Sequence, residues 1–244
     1  MSKKQRGDTL YYRNELKYVI HEGDYAVMRN RMADVLPFDK NADSEGGYWI
    51  RSLYYDDPYM KALRIKLDGV DEREKYRIRF YNYSSDRVSL ERKEKRGPKI
   101  HKDSALLTPD ELAQIMADDT VSLLYSEKKL LRRFALSLRT QRLRPVQLVD
   151  YRRDAFVVKE GNVRITFDRH LRAPLTIKNF FDPQLPFLQV LPPGRSILEV
   201  KYDDFLPAHI RRLIQIRDRN WQAASKYVLC CMAARRTEEN YAHG

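Results

Sequence analysis

Five segments of the chain alternate charged and apolar residues with a period of two, and no other feature constrains the fold as strongly. In YYRNELKYVI, Arg13, Glu15 and Lys17 share one parity while Leu16, Tyr18 and Ile20 share the other. KYRIRFYNYSSDRVSLERKEKRG repeats the pattern twice, first with Arg77 and Arg79, then with Glu91, Lys93 and Lys95. VRITFDRH sets Arg164, Thr166 and Asp168 against Ile165 and Phe167, and SILEVKYDD sets Glu199, Lys201 and Asp203 against Leu198, Val200 and Tyr202. Successive side chains of a strand point to opposite faces, so each segment predicts a strand with one charged and one apolar face. An antiparallel sheet with one wet face produces this alternation by default. The charged faces could equally converge inside a closed barrel with a polar lumen. Like charges on neighbouring strands repel, so a bound polyanion would relieve an enclosed arrangement. Parity leaves both arrangements open.

Strand-like runs are predicted at about 9–20, 48–56, 76–83, 87–96, 146–158, 163–172 and 196–203, with a weaker one within 175–191 that Pro183 and Pro186 interrupt. Helical spacing predicts helices over 23–36, 108–119, 122–143, 207–217 and 222–236. The second opens on Thr108, Pro109 and Glu111, the pattern of a capping box. Strands interspersed with amphipathic helices predict an α+β fold around an antiparallel sheet. No repeat and no Gly/Ser linker divides the 244 residues, so one domain over 1–244 is expected.

The partner should be anionic. Forty-six Lys+Arg against 34 Asp+Glu leave a net charge of +12, which suits nucleic acid, a lipid head group or a small polyanion. Tyr and Phe among the cations keep single-stranded nucleic acid as a rival. The aromatics lie mainly opposite the charged parity, however, and no specific nucleic-acid motif is present. The basic run from Lys128 to Arg144 reads as a solvated helix face. Cys230 and Cys231, adjacent in YVLCCMAA, read as buried thiols of a reducing compartment. No signal peptide and no apolar run near 20 residues is present, which predicts a cytoplasmic protein; membrane association would come through a separate membrane partner.

Seven short motifs in order, RNELKY, YRIRFYN, LERKEKRG, YRRDAF, VRITFD, ILEVKY and ASKY, resemble those of VTC-type polyphosphate polymerase domains, members of the triphosphate tunnel (CYTH-like) superfamily. The resemblance covers about residues 10–230. It implies a closed antiparallel eight-stranded β-barrel tunnel with helices packed outside. It also implies a phosphotransferase that takes ATP, another nucleoside triphosphate or polyphosphate and uses a divalent metal, Mn2+ or Mg2+. By motif position, Lys17, Arg77, Arg79, Lys93, Arg153, Arg164 and Lys226 look like the catalytic cations. Arg13, Lys95, Lys201 and Ser225 look like further substrate-binding residues, and Glu199 like the metal-binding glutamate. Glu15, Glu91 and Asp168 would either join the metal or orient basic side chains. These residue types suit phosphoryl transfer, which needs alignment and neutralisation of phosphate oxygens. Arginine forks grip phosphate in pairs of bonds, and lysine supplies a movable point charge.

Hydrolytic members of the superfamily usually open with Glu-x-Glu-x-Lys, whereas this chain has Arg13, Glu15 and Lys17. That departure favours polymerase over triphosphatase. A triphosphatase and a non-catalytic polyphosphate-binding module remain as alternatives.

Overall fold

The strand-forming segments assemble into one antiparallel sheet in this computed structural model, which describes residues 14–97, 99–214 and 225–242. Its strands are β1 (Asn14–His21), β2 (Gly47–Asp56), β3 (Arg73–Tyr81), β4 (Ser89–Arg96), β5 (Lys99–Leu106), β6 (Arg144–Val158), β7 (Val163–Pro174), β8 (Phe187–Gln189) and β9 (Arg195–Tyr202). Their order is β1-β9-β7-β6-β2-β3-β4-β5, with β8 added to β7. The helices are α1 (Glu22–Ala33), α2 (Lys61–Leu67), α3 (Pro109–Met116), α4 (Thr120–Leu124), α5 (Lys129–Thr140), α6 (Ala208–Leu213) and α7 (Lys226–Ala242).

The apolar parities decide which way each strand faces. Ile78, Phe80, Leu90 and Leu148 are buried under α3, α4 and α5 against Ile115, Leu123, Leu131 and Phe134. Ile165, Phe167, Leu198 and Val200 are buried under α1 and α6 against Met28, Met32 and Ile210. Full burial of one such side chain contributes about 1.5–3 kcal/mol. Two rows of this size outweigh any repulsion among the charged residues, which are left to the opposite, concave face.

The expectation of a closed eight-stranded barrel is corrected. Among the described residues there are nine strands, and β1 and β5 end the sheet without pairing to each other. The sheet curls far enough for side chains of both end strands to face one space, yet no ladder joins them. Period-two alternation is satisfied equally by a curled open sheet. Alternation within a strand fixes which face each side chain takes and carries no information on whether the two end strands pair.

Other departures have local causes. The helix predicted over 122–143 is two, α4 and α5. Ser126 Oγ accepts from the Lys128 amide (3.2 Å), and the Ser126 and Glu127 carbonyls accept from Arg132 Nη1 (2.6 and 2.9 Å), so the chain turns between them. The capping box of α3 forms as its spacing predicts, with Thr108 and Glu111 each accepting from the other's amide (3.2 and 2.8 Å). Helix α2, unforeseen in the sequence, starts beneath Asp56, whose carboxylate accepts from the amides of Ala62 (2.8 Å) and Leu63 (3.1 Å). The predicted helix at 207–217 is α6, with residues beyond 214 outside the described part.

Helix α7 does not pack outside with the others. It lies against the concave face, where Cys230 joins Tyr48, Ile50, Tyr151 and Ile197 in a buried apolar cluster. Both cysteines are free and buried, and burial pushes the Cys230 thiol up. Among the described residues, no helix is long and apolar enough to cross a membrane.

Candidate phosphate-binding site

The concave face encloses a cavity of about 400 Å³ whose lining is predominantly cationic. Glu15 and Lys17 come from β1, Arg77 and Arg79 from β3, and Glu91, Lys93 and Lys95 from β4. Arg153 comes from β6, Glu199 and Lys201 from β9, and Ser225 and Lys226 from the start of α7. The structure thus brings together twelve of the fifteen residues singled out in the sequence. Asp168 lies fully buried behind them. Arg164 turns away from the cavity, pairing with Asp39 (2.7 Å) and donating to the Tyr48 hydroxyl (3.0 Å). Arg13 lies outside the described residues.

Lys66, Arg73, Lys75, Lys102, Tyr54, Tyr151 and Tyr227 also line the cavity, and sequence reasoning passed over them. Arg73 and Lys75 carried a usable signal, since they continue the parity of Arg77 and Arg79 one turn of the pleat further back. Lys102 lies on β5, whose segment KIHKDSAL lacks charged-apolar alternation. Lys66 arrives on α2, far from any strand motif.

Cross-strand register sets like charges directly opposite one another. Arg73 faces Lys95 and Lys75 faces Lys93 between β3 and β4, and Lys93 faces Lys102 between β4 and β5. The lining holds twelve cations against three carboxylates. Such opposition is destabilising in an ordinary sheet, so the face is built for something other than stability.

Each carboxylate anchors several cations. Glu91 Oε2 accepts from Arg77 Nε (2.8 Å) and Nη2 (2.5 Å), while Oε1 accepts from Lys102 Nζ (2.9 Å). Burial alone would raise the Glu91 carboxyl, but Arg77, Arg79 and Lys102 hold it well below the usual range. Asp168 accepts from Arg153 Nε (2.6 Å) and Nη2 (2.8 Å) and pairs with Lys226 Nζ (2.5 Å). Arg79 is held by Ser52 Oγ (3.1 Å) and the Tyr151 hydroxyl (3.4 Å). Tyr227 stacks on Tyr54 at 4.8 Å and donates to Asp56 Oδ2 (2.7 Å), which fixes α7 against β2. The arginine forks are therefore pre-set in the cavity wall, Arg77 also donating from Nη1 to the Tyr54 hydroxyl (2.8 Å).

Glu15 and Glu199 lie together at the β1–β9 end. Lys17 bridges them (2.8 and 3.3 Å), and so does Lys201 (3.5 and 2.5 Å). Against the cost of burial, Lys17, Lys201, Lys226 and Arg153 keep Glu199 ionised well below its ordinary range. Among the described residues, no group of three or more carboxylates, histidines or cysteines is gathered for a metal. A small hard cation is commonly held by one or two carboxylates plus the phosphates of its substrate. Glu15 and Glu199 fit that donor set; Glu91 and Asp168 are committed to arginines.

Burial, aided by Lys66 and Arg73, pushes the Lys75 ammonium down to about 8, and Lys93 and Lys102 are pushed down too. An entering polyanion favours the protonated amines. Its binding above about pH 8 should therefore take up protons, and affinity should fall as pH rises through that range. Calorimetry in buffers of different ionisation enthalpy measures the uptake, and an identical binding heat in all buffers would contradict it.

Comparison with known proteins adds the following. A family model described as the VTC domain matches residues 12–234. Among solved structures, HpAC1 from Hippeastrum, an adenylyl cyclase candidate described as having a dominant triphosphatase activity, superposes with a TM-score of 0.53. It shares 12% identity, with 89% of this chain and 94% of that chain covered. An adenylate cyclase candidate (bh2851) from Bacillus halodurans gives 0.47 at 9% identity, covering 84% and 85%. PH1819 protein from Pyrococcus horikoshii OT3 gives 0.40 at 15% identity, covering 83% and 84%. No curated protein sequence matches the chain. The likeness to HpAC1 is one of fold.

Proposed function

This chain belongs to the VTC domain family, whose model matches residues 12–234, and from that premise we propose that it is a polyphosphate polymerase-type phosphotransferase. The observation that carries this reading is the cavity itself, where twelve cations and three carboxylates meet on one concave face. A linear phosphate chain supplies the density of negative charge that such a lining requires.

In this reading Arg77, Arg79 and Arg153 fork onto phosphate oxygens, each held in orientation by a carboxylate or hydroxyl behind it. Lys17, Lys93, Lys201 and Lys226 follow the charge as it shifts to the leaving group, and Lys95, opposite Arg73, binds the chain further out. Orthophosphate or a polyphosphate end attacks the terminal phosphorus in line. A new P–O bond forms there while the bond to the departing phosphate oxygen breaks, and the lysines neutralise that oxygen. Ser225 sits at the cavity wall beside Lys226 and can donate to a phosphate oxygen. A Mg2+ or Mn2+ ion held by Glu15 and Glu199 together with substrate phosphates would add Lewis-acid charge at the transferring group. Arg164 acts at a distance by tying Asp39 to the sheet.

Incubation of the purified protein with labelled ATP and manganese tests the reading on a gel. An acid-stable ladder of phosphate polymer is the expected result. Release of orthophosphate alone would replace polymerisation with hydrolysis, the activity described for HpAC1. Retention of ATP with tight polyphosphate binding would mark a non-catalytic binding module.

A further inference from the structure

We propose that Lys66 of α2 and Lys75 of β3 form an outer phosphate site at the cavity mouth, one that a triphosphate gripped at the inner arginines does not reach and a longer linear polyphosphate does. The inference rests on the reading of the cavity as a phosphate-chain site and adds a preference for chain length.

Arg73, Lys75, Arg77 and Arg79 occupy one face of β3 at two-residue steps, so the ladder runs about 20 Å from end to end. Its inner end meets Ser52 and Tyr151. At its outer end Arg73, Lys75 and Lys95 also line a second, larger cavity of about 1050 Å³ between α2 and α5. Those residues belong to the walls of both spaces. Three linked phosphates fall well short of the whole ladder, so its outer rungs face whatever extends beyond them.

Several of the lining cations are matched to carboxylates: Arg77 to Glu91, Arg153 to Asp168, Lys17 to Glu199 and Lys95 to Asp71. Among the described residues, neither Lys66 nor Lys75 has a carboxylate at ion-pair distance. Lys75 faces Lys93 across the ladder, and its ammonium is steadied by the Tyr227 ring at 4.7 Å. An aromatic face orients a cation and leaves its charge uncancelled. Both lysines are partly buried, so their mutual repulsion is poorly screened by water. A chain of phosphates passing the mouth removes that cost, and a ligand ending at the inner arginines does not.

The test compares tripolyphosphate with a size-fractionated polyphosphate several times longer, by calorimetry in metal-free buffer. The wild-type protein should bind the longer chain more tightly. Lys66→Met and Lys75→Met should each reduce the long-to-short affinity ratio by about tenfold, the value of one charge-assisted contact. Lys66→Arg should restore the ratio. Thermal midpoints should not fall in these variants, because each removes a cation without a carboxylate partner; Lys75→Gln serves if Lys75→Met melts early. Equal losses for both chain lengths, or no loss for either, would overturn the outer site while leaving the cavity reading in place. Failure of the wild-type protein to bind either chain would remove both.

Discussion

Replacing Asp168 with alanine should destabilise the protein by about 3–5 kcal/mol, more than any other single change at the site. Asp168 is fully buried on β7. It receives two hydrogen bonds from Arg153 and an ion pair from Lys226, the first residue of α7. Removing the carboxylate would leave a guanidinium and an ammonium side by side, with only Glu199, already paired with Lys17 and Lys201, as a neighbouring counter-charge. At roughly 2–4 °C per kcal/mol for a chain of this size, the melting temperature should drop by about 10 °C. Phosphate binding should weaken with it, since Arg153 and Lys226 both lose their anchor. A melting temperature within a degree of wild type would show that the pair holds itself by other means.

The same carboxylate sets an acid limit on the fold. Burial would raise Asp168, but Arg153 and Lys226 bring it below its ordinary 3.8. A carboxyl depressed in the folded state contributes stability that is complete above its unfolded value. That contribution is lost as pH falls through the folded value. Glu91 and Glu199 are depressed for the same reason. The wild-type protein should therefore keep its stability down to about pH 4 and lose it below, and Asp168→Ala should flatten that acid limb.

Arg79→Ala should do the opposite, abolishing most phosphate affinity while sparing the fold. Arg79 reaches the cavity from β3 and is braced by hydroxyls of Ser52 and Tyr151. Its carboxylate neighbour Glu91 lies 3.8 Å away and is already served by Arg77 and Lys102. Loss of Arg79 therefore strands no buried acid and relieves a crowded set of cations. Against a triphosphate it removes a fork worth two charge-assisted hydrogen bonds, about 3–5 kcal/mol, or roughly two to four orders of magnitude in Kd. Titration with tripolyphosphate alongside a thermal melt checks both halves. A large stability loss with affinity preserved would make Arg79 an ordinary sheet residue.

Most of the cavity lining could be read from the sequence because its signal is local. Lys17, Arg77, Arg79, Lys93, Lys95, Glu199 and Lys201 sit on alternating positions of strands, and parity alone groups them by face. Arg153, Ser225 and Lys226 carry no such signal and were found by their resemblance to family motifs. Arg164 shows the limit of both approaches, since its backbone shares the charged parity while Asp39 and Tyr48 draw its side chain elsewhere. Lys102 and Lys66 were missed for different reasons. The β5 segment is too polar to show alternation, and α2 is started by the Asp56 carboxylate reaching six and seven residues ahead.

By itself the sequence determined which side chains share a face and which face is buried, because a period of two and the burial of apolar rows operate within each strand. Only the tertiary structure decided how far the sheet curls and that β1 and β5 stay apart. It also decided that α7 lies against the concave face rather than outside, and that α2 delivers a lysine to the mouth of the cavity. Those outcomes depend on twist accumulated over the whole sheet and on contacts between residues far apart in the chain, such as Asp168 with Lys226 and Asp56 with Tyr227.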